Sequence, residues 1–188
     1  MVTVRITAHA DPVEPVVRFD TPDERLVLRQ GKWSDWLHAD FKLILLLKSV
    51  SGVFRLYLQQ VHPYLRIYAG PVNLDPRNPA LALSTPAGFS RTLAEELGPF
   101  YTQGIAEETS ASRAGVFSKD EFLSQSHKVR EDSLRMFRHE LDRFASGLLF
   151  YYSSSVDQKS HMSWGRYGRD FLDIYRRMDD AVGEAMPA

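Results

Sequence analysis

The sequence predicts a mixed α+β or α/β chain in which a β-rich antiparallel module precedes helices and a buried strand. Three observations predict it. Short runs of alternating or apolar residues crowd the stretch from residue 1 to 70, as the strands of an antiparallel sheet or small barrel-like unit do. A long stretch from Lys119 to Ala145 repeats its apolar residues at steps of three and four. The uncharged run Leu148 to Tyr152 then follows Gly147, as a buried strand following a helix would. The expected division is a β-rich module over 1–70 and an incomplete α/β portion over 71–188.

In order along the chain, "VTVRITAH" alternates from Val2 to Ala8 as a half-buried strand. "VVRF" (Val16 to Phe19), "RLVLR" (Arg25 to Arg29), "DFKLILLL" (Asp40 to Leu47), "GVFRLYLQQ" (Gly52 to Gln60) and "YLRIYAG" (Tyr64 to Gly70) read as further strands. "QGKW" (Gln30 to Trp33) and "SVSG" (Ser49 to Gly52) read as turns, because glycine tolerates the positive φ that tight turns need. Four prolines between Pro71 and Gly88 predict a long ordered loop. Ser90 to Gly98 is expected to be a short helix with a serine N-cap and a glycine stop. In the long helix, Leu134, Phe137, Leu141 and Phe144 should line one face, and Glu131 and Arg135 are spaced as an i,i+4 pair. A glycine-containing connector after His161 leads to a last helix with Phe171, Tyr175, Met178 and Val182 on one face.

Composition narrows the function classes. With 188 residues the chain can bury a core, and its net charge of −1 leaves no basic surplus for a nucleic acid polymer. The absence of cysteine removes disulfides, thiolate chemistry and Cys-based zinc sites, and leaves the redox compartment open. The apolar run Leu43 to Leu47 stops at Lys48, far short of a membrane span, and the N-terminus lacks the basic start and apolar centre of a signal peptide.

The residues with the most chemistry lie in "SSSVDQKSHMSW". A strand tip is where open α/β sheets gather functional residues, and Asp157 and His161 would both reach one point there. A carboxylate oxygen and an imidazole nitrogen form the mixed donor set that suits a catalytic zinc ion. The plain alternative is a helix-capping aspartate beside an unrelated histidine. Other candidates carry less. Ser153 to Ser155 lack the glycine frame of a hydrolase nucleophile, and the remaining five histidines are scattered. Glu107 and Glu108 read as solvated loop acids, and Trp33, Trp36, Phe41 and Tyr57 as packing aromatics. No glycine-rich phosphate loop is present.

"YLRIYAGPVNLDPRNP", "GPFYTQGIAEET" and "SSSVDQKSHMSW", in that order, resemble the type I phosphodiesterase/nucleotide pyrophosphatase branch of the alkaline phosphatase superfamily, from about Trp33 onward. The resemblance implies an alkaline-phosphatase-like α/β fold and hydrolysis of phosphate esters with two metal ions, usually zinc. It implies a Thr or Ser nucleophile and an Asp-x-x-x-His element that ligates one metal, onto which Asp157 and His161 map. The nucleophile, the first metal-binding aspartate and a later Asp-His pair have no counterpart in this sequence. The chain is therefore expected to be an interior fragment, inactive alone, acting on a small phosphate ester through its parent and able to self-associate through exposed surface. A non-catalytic binding or interaction domain on the same scaffold is the alternative. A third possibility is a self-contained metalloenzyme drawing on Asp75 or Glu107.

Overall fold

The computed structural model describes residues 7–20, 25–43, 48–163 and 169–186. It contains antiparallel sheets and five helices in two compact units, Met1–Thr102 and Gln103–Ala188. The strands are β1 (Thr7–Ala10), β2 (Val16–Asp20), β3 (Arg25–Arg29), β4 (Leu37–Leu43), β5 (Lys48–Phe54), β6 (Leu56–Gln60), β7 (Arg66–Ala69) and β8 (Asn73–Leu74). They form three sheets rather than one barrel-like unit: β1-β2-β3, β4-β5-β8 and β6-β7. The alternation predicted from Val2 is followed in β1 only from Thr7, because Val2 to Ile6 lie outside the described residues, as do Ile44 to Leu47.

One apolar cluster joins the three sheets. Val17 and Phe19 of β2 are fully buried while Arg18 between them is exposed, which is the period-two signature of a strand with one dry face. They pack with Leu28, Leu37, Ala39, Phe54, Leu56, Leu58 and Val61. Each of the valine, leucine and phenylalanine side chains contributes roughly 1.5–3 kcal/mol by leaving water, so this cluster is the main support of the first unit.

Two glycines behave differently from one another. Gly31 has φ 76° and turns the chain after β3, its N–H donating to the Leu58 carbonyl at 2.7 Å. Gly52 makes no turn. Ser49 to Gly52 lie inside β5, where Gly52 pairs with Ala39 on one side and Leu74 on the other. A Cβ there would stand 2.6 Å from Val72 Cγ1 and 2.9 Å from Phe41 Cε2, so glycine is present for close approach. The expected single strand from Gly52 to Gln60 is two strands parted at Arg55. That residue is buried with its guanidinium 4.3 Å from the Trp36 ring centroid and 5.5 Å from that of Tyr101.

The loop after Gly70 remains part of the first unit because its polar side chains replace missing ladder bonds. Asn73 Oδ1 accepts from the Thr102 N–H at 2.9 Å, and its Nδ2 donates to the Pro71 carbonyl. Asp75 accepts from Ser51 Oγ and the Arg77 N–H. Helix α1 (Phe89–Leu97) follows, with Gly88 at its N-cap rather than Ser90. Ser90 is buried, and its N–H donates to Ser84 Oγ.

The second unit holds α2 (Thr109–Arg113), α3 (Lys119–Arg143), α4 (Ser154–Ser163) and α5 (Arg169–Ala185). Ser118 starts α3 with a reciprocal cap: its Oγ accepts from the Glu121 N–H, and the Glu121 carboxylate accepts from the Ser118 N–H. The buried face of α3 runs through Phe122, Gln125, Ser126, Val129, Asp132 and Leu134. Of the expected stripe, Leu134 is buried, Phe137 and Leu141 are half-buried, and Phe144 lies beyond the helix and is exposed. Arg135 is 3.5 Å from Asp132, one step nearer than the expected Glu131. In α5 the inward line is Ile174, the half-buried Met178 and Ala181, with Tyr175 and Val182 exposed; the Phe171 side chain and connector residues 164–168 lie outside the described residues. Arg138 grips Glu184 through two 2.6 Å bonds, tying α3 to α5.

The largest departure concerns Leu148 to Tyr152, which form no strand and are not buried. Leu148 is 90% exposed, Phe150 81% and Tyr152 60%. A strand needs neighbouring main chain on its edges, and every described strand pairing lies in the first unit. The α+β character therefore holds, but with the sheets in one unit and the longest helices in the other.

The Gly52 site yields a direct check. Gly52→Ala should destabilise the chain by roughly 1–3 kcal/mol through overpacking, seen as a lower urea midpoint with an unchanged m-value. Gly104→Ala, where a Cβ meets open space, should leave the midpoint near wild type.

Candidate functional site

Asp157 and His161 lie on α4, a helix, and not beyond a strand tip. Four residues make slightly more than one helical turn, so both side chains project from one face, where Asp157 Oδ1 and His161 Nε2 are 3.2 Å apart. Both are well exposed, at 45% and 69% of their side-chain surface. Asp157 Oδ2 also accepts from Gln158 Nε2 at 2.9 Å.

The opposite face of α4 is buried and polar. Ser155 and Lys159, also four apart, are 2% and 1% exposed. Ser155 Oγ donates to Glu107 Oε1 at 2.6 Å, and Ser154 Oγ donates to the same oxygen at 3.0 Å. Glu107 is thus a buried acceptor and not a solvated loop acid. Its loop is held to α3 by Gln125, which donates to the Ala106 carbonyl at 2.8 Å and accepts from the Glu108 N–H at 3.1 Å. Two serines that lacked a nucleophile's frame therefore serve to anchor the helix.

Around Lys159 the field is cationic. Burial, then the nearby Arg130 and Arg177 guanidinium groups, pull its ammonium down to about 8, with Asp173 and Glu107 opposing. His127 is also lowered, by burial first and then by Lys159, Arg177 and Arg130. Arg177 is partly neutralised by an ion pair with Asp173 one turn earlier in α5. Arg130 Nε and Nη1 are buried and have no hydrogen-bond partner among the described residues. A charged amine in such surroundings costs stability, because burial and the two guanidinium groups outweigh what Asp173 and Glu107 return.

A metal can be tested against the donor set. Zinc–oxygen and zinc–nitrogen bonds of about 2.0–2.2 Å at a tetrahedral angle place the two donors roughly 3.3–3.5 Å apart. The observed 3.2 Å is close to that edge. Among the described residues, no cluster of three or more His, Asp or Glu is placed to hold a metal ion. Asp75 lies in the first unit against His38, 3.5 Å from its Nδ1, and Glu107 is committed to two serine hydroxyls. The pair fits half of a zinc shell.

Other sequence candidates have local roles. His9 is 3.1 Å from Asp20, and His139 is 2.8 Å from Glu140. Trp33 stacks on Tyr57 with centroids 5.0 Å apart, and Trp36 meets Tyr101 edge-on at 4.7 Å. No helix is long and apolar enough to cross a membrane among the described residues. No family model, curated protein or solved structure matches this chain.

The buried Lys159 sets a pH signature. Its folded-state pKa lies below the ordinary lysine value, so between about 8 and 10.5 the unfolded state binds more protons and stability rises with pH. Lys159→Met should stabilise the chain at pH 7 by about 1–3 kcal/mol. In urea titrations that advantage should shrink steadily as pH climbs through 8 toward 10.

Proposed function

We propose that this chain is a segment of a metal-dependent phosphohydrolase of the phosphodiesterase/nucleotide pyrophosphatase type, inactive by itself. In the intact enzyme Asp157 and His161 hold one of two zinc ions, and the substrate is a small phosphate ester. The observation that carries this reading is the 3.2 Å convergence of an exposed carboxylate oxygen and an imidazole nitrogen from one helical turn. The order of the three sequence motifs supports the family. When bound, zinc supplies Lewis acidity toward the phosphoryl oxygens and the attacking hydroxyl. The chain's own contribution is positional: α4, anchored through Ser154 and Ser155 to Glu107, presents both donors on the side away from its buried face. The β-rich unit shapes access or substrate choice in this reading.

A second reading, a non-catalytic binding module, is favoured by a cleft of about 310 Å³ in the first unit, lined by Arg25 to Leu28 and Trp33 to Leu37. It is separated from the first reading by the parent sequence. A Thr or Ser nucleophile upstream and an Asp-His pair downstream support the enzyme; complete flanking domains with neither sink it.

Zinc titration by calorimetry tests the pair in the isolated chain. Weak binding is expected, with a loss of about tenfold or more in affinity, a difference of at least ~1.4 kcal/mol, for Asp157→Ala or His161→Ala. Equal binding by the double variant would remove these residues from any metal role. Zinc-dependent hydrolysis of a chromogenic phosphodiester by the isolated chain, lost on Asp157→Ala, would instead establish a self-contained metalloenzyme.

A further inference from the structure

The buried side of α4 gathers hydrogen-bond donors that no described residue uses. On α3, Ser126, Arg130, Ser133 and Phe137 follow at steps of four, three and four, so they share one face. The later half of that face carries Tyr151, through its ring on Phe137 and its hydroxyl on Ser133. The earlier half meets the cationic cluster: Lys159 of α4 feels the charge of Arg130, and Arg177 of α5 feels both. Ser126 is fully buried, and its Oγ has no hydrogen-bond partner among the described residues. Arg130 Nε and Nη1 are likewise buried and unpartnered. No hydrogen bond or ion pair joins Lys159, which is 1% exposed, to a described residue.

The acids facing this group are largely engaged elsewhere. Asp173 pairs with Arg177, Glu131 lies beside Arg130 in α3, and Glu107 Oε1 accepts from two serine hydroxyls. Glu107 Oε2 is buried with no partner. His127 of α3 adds a half-buried imidazole to the neighbourhood. Arg177 is 45% exposed, so the cluster reaches solvent on the α5 side.

We propose that Ser126, Arg130 and Lys159 hold a small oxyanion of the phosphate class between α3 and α4. Buried donors without acceptors cost free energy, most of all when charged, and an oxyanion accepts from several of them at once. Glu107 Oε2 can only accept, so it favours hydrogen phosphate, which has a proton to give, over sulfate, which has none. The cluster lies on the face of α4 turned away from Asp157 and His161, so this inference is independent of the metal reading.

Calorimetry of the full chain with inorganic phosphate tests it, in chloride buffer of fixed ionic strength with EDTA. Sub-millimolar binding is expected, about tenfold or more tighter for phosphate than for sulfate. Arg130→Gln and Lys159→Met should each weaken phosphate binding about tenfold or more. Lys32→Met, at an exposed position of the first unit, should leave it unchanged. Phosphate should also raise the urea midpoint of the wild type and not that of Lys159→Met. Loss of the buried charge stabilises the chain in chloride alone, so an unresponsive Lys159→Met is folded and not damaged. No binding up to ~10 mM phosphate overturns the proposal. Equal affinity in the wild type and both variants overturns it too, as does sulfate binding as tightly as phosphate. Because EDTA is present, failure here does not touch the metal reading, which is decided by the zinc titration.

Discussion

The second unit depends on one buried carboxylate. Glu107 Oε1 accepts from the hydroxyls of Ser154 and Ser155, and Gln125 of α3 clasps the main chain on either side of that glutamate. Two hydrogen bonds to one carboxylate oxygen at the first turn of α4 fix where the helix starts and how it is rotated. That rotation decides everything displayed further along. With Ser155 turned inward, Lys159 must follow it inward one turn later, and Asp157 and His161 must turn outward. A helix rotated by half a turn would bury the aspartate–histidine pair and expose the lysine.

The β-rich half is largely legible in the sequence because its signals are local. The alternation of Val16 to Asp20 and Arg25 to Arg29 is visible in the residues themselves, and it maps onto a strand pair whose inward residues are Val17, Phe19 and Leu28. What local pattern does not convey is which strand lies beside which. Gly52 illustrates this. A glycine among serines reads as a turn, yet here it admits the Val72 side chain and the Asn73 carbonyl, and only the sheet partner reveals that need. Arg55 is similar: charge suggests an exposed position, whereas two aromatic faces from distant parts of the unit take up its guanidinium. The cap of α3 does have a local signal, since Ser118 followed by Glu121 is a helix-start signature.

The spacing of the candidate pair is legible in the sequence, and its setting is not. An Asp-x-x-x-His spacing is compatible with a strand tip followed by a turn and equally with one face of a helix, and the structure shows the helix. The apolar run before it misleads for a physical reason. Hydrophobic residues over five positions signal burial only if something is available to bury them, and here one helix covers alternate residues while the others face water. Lys159 has no sequence signal at all. Its burial follows from being four residues after Ser155, and Ser155 is buried because of an acid almost fifty residues away.

The exposed run and the outward pair are neighbours in the chain. Tyr152 is separated from α4 by Ser153 alone, so the stacking of Tyr151 on Phe137 also steadies the entry to the helix. Glu107 already holds that entry from the inside through Ser154 and Ser155. A helix restrained at its start from two sides frays less, and the 3.2 Å approach of Asp157 Oδ1 to His161 Nε2 further along it then costs less conformational freedom.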